Sequence, residues 1–597
     1  MRKFPQNKIW RQNNLSDLYG DIWSSFNLDL TSELGKLKTT RTLAVARSVD
    51  DGSANYVLNL GLATAFRYYN GVYYACTGND AGTGTISKGG ASRNTAWGLD
   101  TSTDKPTTLS SRYSDMEVFN ERLYVSLEGT TLARLDTATW LNGGVAITGG
   151  VSSVPHMLCV YGDRLYVTAD YAKINSMSTA EAFGATIGTT ANTLDLGNLT
   201  SNSITFMRAV SDGIWIGTVN RNGGKGHVYK WDGSLVTGGL ETFKLESSGV
   251  MAGIVKDDVL YIMDNDGRLL AYNGGTFVEI DRLPIKRGEY LFFPLGNYNN
   301  RWIHPNGMTL RDSSILILID NEYRGVTASW EENVPSGIWE WTKETGLYHK
   351  YSLSYTNDGS TTVRDYGQNY ISIAGALNYI KSSSTSAVDN GSLLASAELF
   401  TDASTKDNMI FIDDLLDEVQ KYGYFVTPKI FSDKIDDVWQ KILLRIKKLT
   451  SGDEIVLKYR TEDITPLDIA ITTWSGSNSV RTSTSMTAYG AGDEIEFTQG
   501  EGSGKCFKIL STSDLGGGVT EIVLDGAFTG IDSSGNARLQ HWKQIGEPFT
   551  STSKDIIEKP LLNVKNSSWI QLKVCIQNTG NSYIYDALLI NTTNQKQ

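Results

Sequence analysis

The sequence predicts an all-β protein: an N-terminal β-propeller of about six or seven blades, followed by a β-sandwich that carries an inserted small β-barrel. Three observations lead there. An aromatic-centred β-run recurs at near-blade spacing through the first two thirds, strictly alternating strands follow it, and a Gly/Ser/Thr-rich segment interrupts those strands. At 597 residues the chain exceeds what one core supports, so several domains are expected. Its 59 glycines against 11 prolines indicate dense tight turns, which suits short strands.

Residues 1–40 form no repeat. The stretch Trp10 to Lys38 nevertheless holds Trp10, Leu18, Trp23, Phe26, Leu28 and Leu30, too apolar to stay in water, so it is expected to dock on another domain or subunit. The propeller is placed at 41–390. Its repeat is a polar turn followed by a short strand: NGVYYA (Asn70 to Ala75), NERLYVS (Asn120 to Ser126), GDRLYVT (Gly162 to Thr168), SDGIWIG (Ser211 to Gly217) and KDDVLYIM (Lys256 to Met263).

The central aromatics Tyr73, Tyr124, Tyr166, Trp215 and Tyr261 are spaced by 51, 42, 49 and 46 residues. Four strands of about five or six residues with their turns consume roughly that length. Second strands follow at Gly129 to Trp140, Gly226 to Ser234 and Gly267 to Gly275. Arg311 to Tyr323 supplies a sixth copy and Ile371 to Ser382 a seventh, with RTLAVARS, Arg41 to Ser48, as the strand expected to close the ring.

KSSSTSAVDN, Lys381 to Asn390, is Ser-rich and poor in apolar residues, and reads as a domain boundary. Beyond it, Phe411 to Gly423 has the acidic start and Gly stop of a short helix. The sandwich is assigned to 391–463 plus 547–597. In WQKILLRIKKL, Ile442, Leu444 and Ile446 share one face, and Lys441, Arg445 and Lys447 the other. The turn at Thr450 to Gly452 then predicts a hairpin with Asp453 to Asp463. Trp569 to Asn578 repeats the alternation with Ile570, Leu572, Val574 and Ile576 inward. The insert, 464–546, is a run of short strands and Gly turns, including GDEIEFTQGEGSGKCFKIL and TEIVLDGAF.

A net charge of −12 and a pI near 5.1 oppose a sequence-independent grip on nucleic acid, which needs clustered Lys and Arg. The basic start MRKFPQNKIWRQNNL lacks the apolar core of a signal peptide, and no run of about 18 apolar residues could span a bilayer. Synthesis and retention in the cytosol, without a membrane span, are the expectation.

No catalytic, cofactor-binding or metal-binding residue is assigned, and no cofactor. Cys76, Cys159, Cys506 and Cys575 lack metal or redox spacing, and His156, His227, His304, His349 and His541 are scattered. DNDGR, Asp264 to Arg268, lacks the spacing of a calcium loop and is expected to be a type I′ turn. GEGSGK, Gly500 to Lys505, is followed by Cys506 where a phosphate loop needs Ser or Thr. SYTNDGSTT, Ser354 to Thr362, fails the sialidase Asp-box spacing. Trp97, Trp231, Trp339, Trp341 and Trp474 could stack on sugars, but packing between blades is the favoured role. The cationic face of WQKILLRIKKL is expected to be solvated or to contact another subunit.

YGDIWSSFNLDLTSELGKLK (Tyr19 to Lys38) ahead of the repeats resembles the large β-propeller structural proteins of tailed bacteriophages, particularly the tail nozzle or distal tail proteins of short-tailed phages. TPKIFSDKIDDVWQKILLRIKKLTSGDEIVLKYRTED, the segment GDEIEFTQGEGSGK and WIQLKVCIQNTGNS are similar to segments of the same family. The resemblance implies a virion structural protein, not an enzyme, forming a ring-shaped homo-oligomer at the distal tail. Its neighbours would be a tail adaptor, fibres or tail tip, and the genome would pass during ejection without specific binding. The alternatives are a glycan- or receptor-binding propeller of the tail and, third, a propeller glycosidase.

Overall fold

Each polar pair that opens a repeat is a two-residue hairpin turn. The computed structural model describes residues 2–4, 10–12, 21–32, 36–40, 43–45, 61–78, 85–89, 97–100, 115–126, 130–141, 144–150, 156–179, 186–187, 194–196, 202–220, 224–234, 239–283, 303–320, 336–353, 371–380, 391–400, 406–413, 422–431, 438–462, 467–474, 478–486, 489–491, 493–497, 506–524, 535–540, 542–561, 567–577 and 584–592. Among these, no α-helix occurs and nearly all pairing is antiparallel.

Asn70 (φ 48°) and Gly71 (φ 84°) join Leu62–Tyr69 to Val72–Gly78. Positive φ at both central residues gives the turn whose twist matches that of the flanking strands, and Asn-Gly adopts it at little cost. Asn120 and Glu121, with φ of 48° and 59°, repeat it, as do Asp257 and Asp258 at 51° and 64°. Glu121 gains nothing from its side chain here. The Tyr69 hydroxyl donates to the Glu121 backbone carbonyl at 2.8 Å, a bond any residue would keep. Glu121→Gly should therefore stabilise the chain by about 0.5–1 kcal/mol, since a non-glycine residue in the left-handed region costs about 1–2 kcal/mol and glycine returns part of that gain as entropy. An unchanged or lower thermal midpoint would contradict this.

The hairpins extend into seven sheets. Sheet I holds Leu62–Tyr69, Val72–Gly78, Thr85–Gly89 and Gly98–Leu99. Sheet II is built on Met116–Phe119, Arg122–Ser126, Thr131–Asp136 and Val145–Ile147, sheet III on Leu158–Tyr161, Arg164–Thr168, Lys173–Ser178 and Leu194–Asp195. Sheet IV holds Asn202–Val210, Gly213–Asn220, His227–Trp231 and Leu240–Lys244; sheet V holds Val250–Lys256, Val259–Asp264, Arg268–Tyr272 and Phe277–Arg282. Sheet VI holds Met308–Arg311, Ser314–Ile319, Gly337–Thr342 and Gly346–Tyr351. In sheet VII, Ile371–Ile380, Ser392–Phe400 and Lys406–Ile412 are completed by Ala44–Val45, from the segment expected to close the ring, with Phe411 opposite Val45 and Ile412 opposite Ala44.

The five repeat aromatics all lie in the second strand of their sheets, and Ser314–Ile319 is the second strand of sheet VI. Ile371–Ile380, read as the seventh copy, is instead a first strand. First strands of successive sheets touch in order, and that of sheet VII returns to that of sheet I. Alternation gives each sheet two apolar faces, and each face packs on a neighbour. Tyr74, Cys76 and Ile86 of sheet I meet Met116, Leu123 and Trp140 of sheet II. Equivalent clusters follow between each pair of neighbours up to Ala376, Leu394 and Ile410 of sheet VII against Phe66, Tyr73 and Trp97 of sheet I.

Several expectations need correction. The stretch 381–390 lies outside the described residues, and the strands on either side of it pair with each other. At the expected helix, Phe411 and Ile412 end one strand and Tyr422 begins another, with 414–421 outside the described residues. The predicted hairpin does not form. Val438–Ile446 pairs with Ile584–Thr592 and Ile556–Pro560 in sheet VIII, whereas Glu454–Thr461 pairs with Trp569–Gln577 in sheet IX. The turn at 450–452 crosses from one sheet to the other because Ile442, Leu444 and Ile446 must bury against Ile455, Leu457, Leu572, Val574 and Ile576 across a shared core. At Asp264 to Arg268 only Gly267 has positive φ (73°), so the turn is type I followed by a left-handed glycine, not type I′. The Asp264 carboxylate accepts from the backbone of Asp266 (3.0 Å) and Arg268 (2.9 Å) and from the Arg268 guanidinium (2.8 Å).

Described residues among the first 45 pair with strands of both halves. Arg2–Phe4 adds to sheet VIII, Ser24–Phe26 adds to sheet IX, and Leu37 exchanges backbone hydrogen bonds with Ile584. Within the insert, six strands between Leu467 and Gln540 pair in a closed barrel.

Candidate functional site

Two positions before the end of the first strand of each of the seven sheets stand Arg67, Glu117, Cys159, Arg208, Ile254, Thr309 and Asn378. Around them runs a polar network that spans several sheets. Arg67 donates from Nη2 to Glu117 Oε2 at 3.0 Å. Arg208 donates to the carbonyls of Gly253 (2.8 Å), Met207 (2.9 Å) and Pro305 (3.3 Å), and to Asn306 Oδ1 at 3.3 Å. Asn306 in turn donates from Nδ2 to the Thr64 carbonyl and to Asp115 Oδ1, both at 3.1 Å. Asp115 also accepts from the backbone N–H groups of Met116 (2.9 Å) and Leu158 (3.0 Å). Asn306, just ahead of sheet VI, thus ties together sheets I, II and IV.

The chemistry of this cluster is that of a brace. Two guanidiniums face two carboxylates. Burial pulls Arg208 down and Asp115 opposes it, whereas Glu117 and Asp115 outweigh burial at Arg67 and raise it. Burial pushes the Cys159 thiol up to about 12, with Glu117 adding and Arg208 opposing, and burial likewise pushes Cys76 up to about 12. Both are inert thiols at neutral pH.

A second polar cluster joins barrel to sheet IX. Glu494 of the barrel meets Lys573 Nζ at 3.0 Å and also Lys458. Burial raises Glu494, but the two ammonium groups outweigh it and hold the carboxyl down at about 2. Arg460 donates to Gln571 Oε1 at 2.7 Å and lies 4.7 Å from the Trp542 ring, and Lys573 lies 4.2 Å from the Tyr424 ring.

A third cluster seats the N-terminal segment on sheet VI. Lys350 Nζ donates to Glu340 Oε2 (2.7 Å) and Thr31 Oγ1 (3.2 Å), and Asn27 N–H donates to His349 Nδ1 at 3.1 Å. With Nδ1 accepting, His349 keeps its proton on Nε2, which lies 2.9 Å from the Ser336 carbonyl. Burial lowers its pKa to about 4.

Among the described residues, those weighed from sequence are not gathered into one site. His156 contacts the Thr168 carbonyl, His304 accepts from Asn306 N–H at 3.0 Å, and His227 stacks on Tyr229. Among the described residues no group of three or more His, Cys, Asp or Glu could hold a metal ion. Trp97, Trp231, Trp339 and Trp341 are buried between sheets, so their rings are spent on packing. Cys575 is buried. His541, residues 354–362 and residues 500–505 lie outside the described residues, as do the side chains of Trp474 and Cys506. Sequence reasoning missed Lys458, Lys573 and Glu494. The lysines occupy the face of an alternating strand that normally meets water, and only the folded position of the barrel covers them.

No family model matches the chain, and no curated protein matches it. Among solved structures, the extracellular domain of a hybrid two-component system from B. thetaiotaomicron is similar over 74% of this chain at 10% identity, with a TM-score of 0.38; the match covers 45% of that chain. U3-55K matches 62% of this chain and 98% of its own at 11% identity and a TM-score of 0.38. The computationally designed Ika8 protein matches 60% of this chain and 98% of its own at 13% identity and a TM-score of 0.33. At these scores the likenesses carry no argument about fold or function. Among the described residues no helix is long and apolar enough to cross a membrane.

Proposed function

We propose that the chain is a structural subunit of a bacteriophage tail, forming with further copies a ring at the distal end of a short tail through which the genome passes. In this reading sheets I to VII are the blades of a seven-bladed β-propeller latched by Ala44–Val45, and sheets VIII and IX are a β-sandwich carrying the barrel as an insert. The propeller then occupies about 43–412, since sheet VII runs to Ile412. The resemblance of Tyr19 to Lys38 and of the C-terminal segments supplies the phage assignment.

The observation that carries a structural role is the axial brace. A propeller's central channel is where a ligand or substrate would sit. Here Arg208, Asn306 and Asp115 spend their polar atoms on one another across that channel. The genome's path is therefore the lumen between copies, not the axis of one propeller. A conduit must not retain DNA, because each neutralised phosphate releases counterions and strengthens binding, and the net charge of −12 multiplies with every copy.

Duplex DNA titrated onto the assembled protein at about 50 mM salt should show no measurable retention, since electrostatic attraction would be strong there if it existed. Tight binding would remove the conduit and leave an outward-facing binding protein as the better account.

A further inference from the structure

The barrel and the sheet beneath it belong to different cores. Its six strands, from Leu467–Trp474 to Gly535–Gln540, pair in a closed circuit, so each has two partners and no edge is left to extend a neighbouring sheet. Inside it Ile469, Ile471, Val480, Ile495, Ile522 and Leu539 bury against one another, and none of them belongs to the core shared by sheets VIII and IX. Among the described strands, those of the barrel pack extensively only on one another. Such a unit satisfies its own backbone and its own apolar surface, so it can part from its host without unfolding.

What joins the two is polar. Lys458 and Lys573 stand directly opposite each other in register on Glu454–Thr461 and Trp569–Gln577, an arrangement that like charges oppose. A carboxylate that meets both comes from the barrel: Glu494 lies 3.0 Å from Lys573 Nζ and also pairs with Lys458. All three side chains are largely buried, so breaking the contact from either side leaves charge without its counter-ion. The chain leaving the barrel is fixed at once. Lys543–Gln544 adds to the edge of sheet IX, with Gln544 opposite Lys458 and Lys543 opposite Tyr459, and Ile545 N–H donates to the Leu457 carbonyl at 2.8 Å.

We propose that the barrel is a detachable lid on sheet IX, latched by Glu494 between Lys458 and Lys573 and tethered at Lys543–Gln544. With the latch closed, the two lysines are hidden. With it open, the barrel moves off as one folded body and uncovers them beside Arg460 and the Tyr424 ring, a cationic face that the closed chain does not offer. This opening needs no second copy of the chain.

Lysine acylation of the full chain, followed residue by residue by mass spectrometry alongside hydrogen exchange, tests the lid. In wild type Lys458 and Lys573 should react at least about 100-fold more slowly than the exposed Lys448 and Lys554. Glu494→Gln should bring both to within about tenfold of those two, while Leu467–Trp474, Thr520–Leu524, Glu454–Thr461 and Trp569–Gln577 remain slow to exchange. Lysines that stay slow in the variant overturn the latch. Lysine exposure accompanied by fast exchange in the barrel or in sheet IX overturns the separable body. Wild type gives a second reading that does not depend on the variant folding. The opening constant derived from acylation of Lys458 and Lys573 should exceed that derived from the most protected amides of Trp569–Gln577 by about tenfold or more, because lifting the barrel disrupts less than unfolding the sheet. Equal constants would mean that the lysines are reached only when the whole chain unfolds, and that the barrel is no lid.

Discussion

Glu494→Gln is expected to be among the most damaging single substitutions in the protein, lowering stability by about 3 kcal/mol or more. The carboxylate is the shared counter-ion of Lys458 and Lys573, whose side chains are only 8% and 9% exposed. An amide leaves two buried ammonium groups without it. By contrast, Glu558→Gln, which breaks the more exposed pair with Lys441, should cost less than about 1 kcal/mol. Acid should act on the same group. Glu494 titrates at about 2 when folded and at an ordinary 4.5 when unfolded, so the unfolded chain takes up the proton first. The stability it confers is complete above pH 4.5 and is lost as pH falls from there towards 2. Denaturant midpoints across that range should fall for wild type and stay flatter for Glu494→Gln. Equal acid slopes would show that the carboxylate is not the shared counter-ion.

Deleting residues 1–40 should have the largest effect of all. The segment places Trp10, Ile22, Leu28, Leu30 and Leu37 in the core shared by sheets VIII and IX, which Tyr348 of sheet VI also enters. At about 1.5–3 kcal/mol per buried large side chain the loss is on the order of 10 kcal/mol, comparable to the whole stability of a typical domain. The truncated chain should aggregate or lose its oligomeric state. Unchanged size and melting temperature would contradict this role.

A milder probe of the same contact is pH. His349 titrates at about 4 in the folded chain and at 6.5 when free, so the docked segment favours the neutral ring. That contribution is full above pH 6.5 and is lost as pH falls from 6.5 to 4, because the proton added at Nδ1 displaces the hydrogen bond from Asn27. Hydrogen exchange at Asn27 should accelerate over that window.

The sequence displays what depends on local periodicity. Turn-plus-aromatic spacing located the second strands of sheets I to V, because a two-residue turn and a half-buried Tyr or Trp are both local demands. Of the segment Arg41 to Ser48, expected from the habit of propellers to be latched by a terminal strand, Ala44–Val45 adds to sheet VII. What failed was pairing between distant segments. Val438–Ile446 and Glu454–Thr461 look like a hairpin because each alternates and a turn separates them, yet either pairing satisfies the alternation, and only burial against a common core selects two sheets. The polar clusters were illegible on similar grounds. Nothing near Asn306 in sequence announces that it meets Asp115 and Arg208, and Lys573 reads as a solvent-facing residue until the barrel covers it.

The most direct test is a cryo-EM reconstruction of the purified full-length protein at low salt. The account predicts a ring of several copies, each with a seven-bladed disc whose axis is closed by the Arg208, Asn306 and Asp115 brace, surrounding a lumen wide enough for duplex DNA and walled mainly by Asp and Glu. Isolated monomers, a lumen lined by Lys and Arg, or an open channel through each disc with no passage between copies would contradict it.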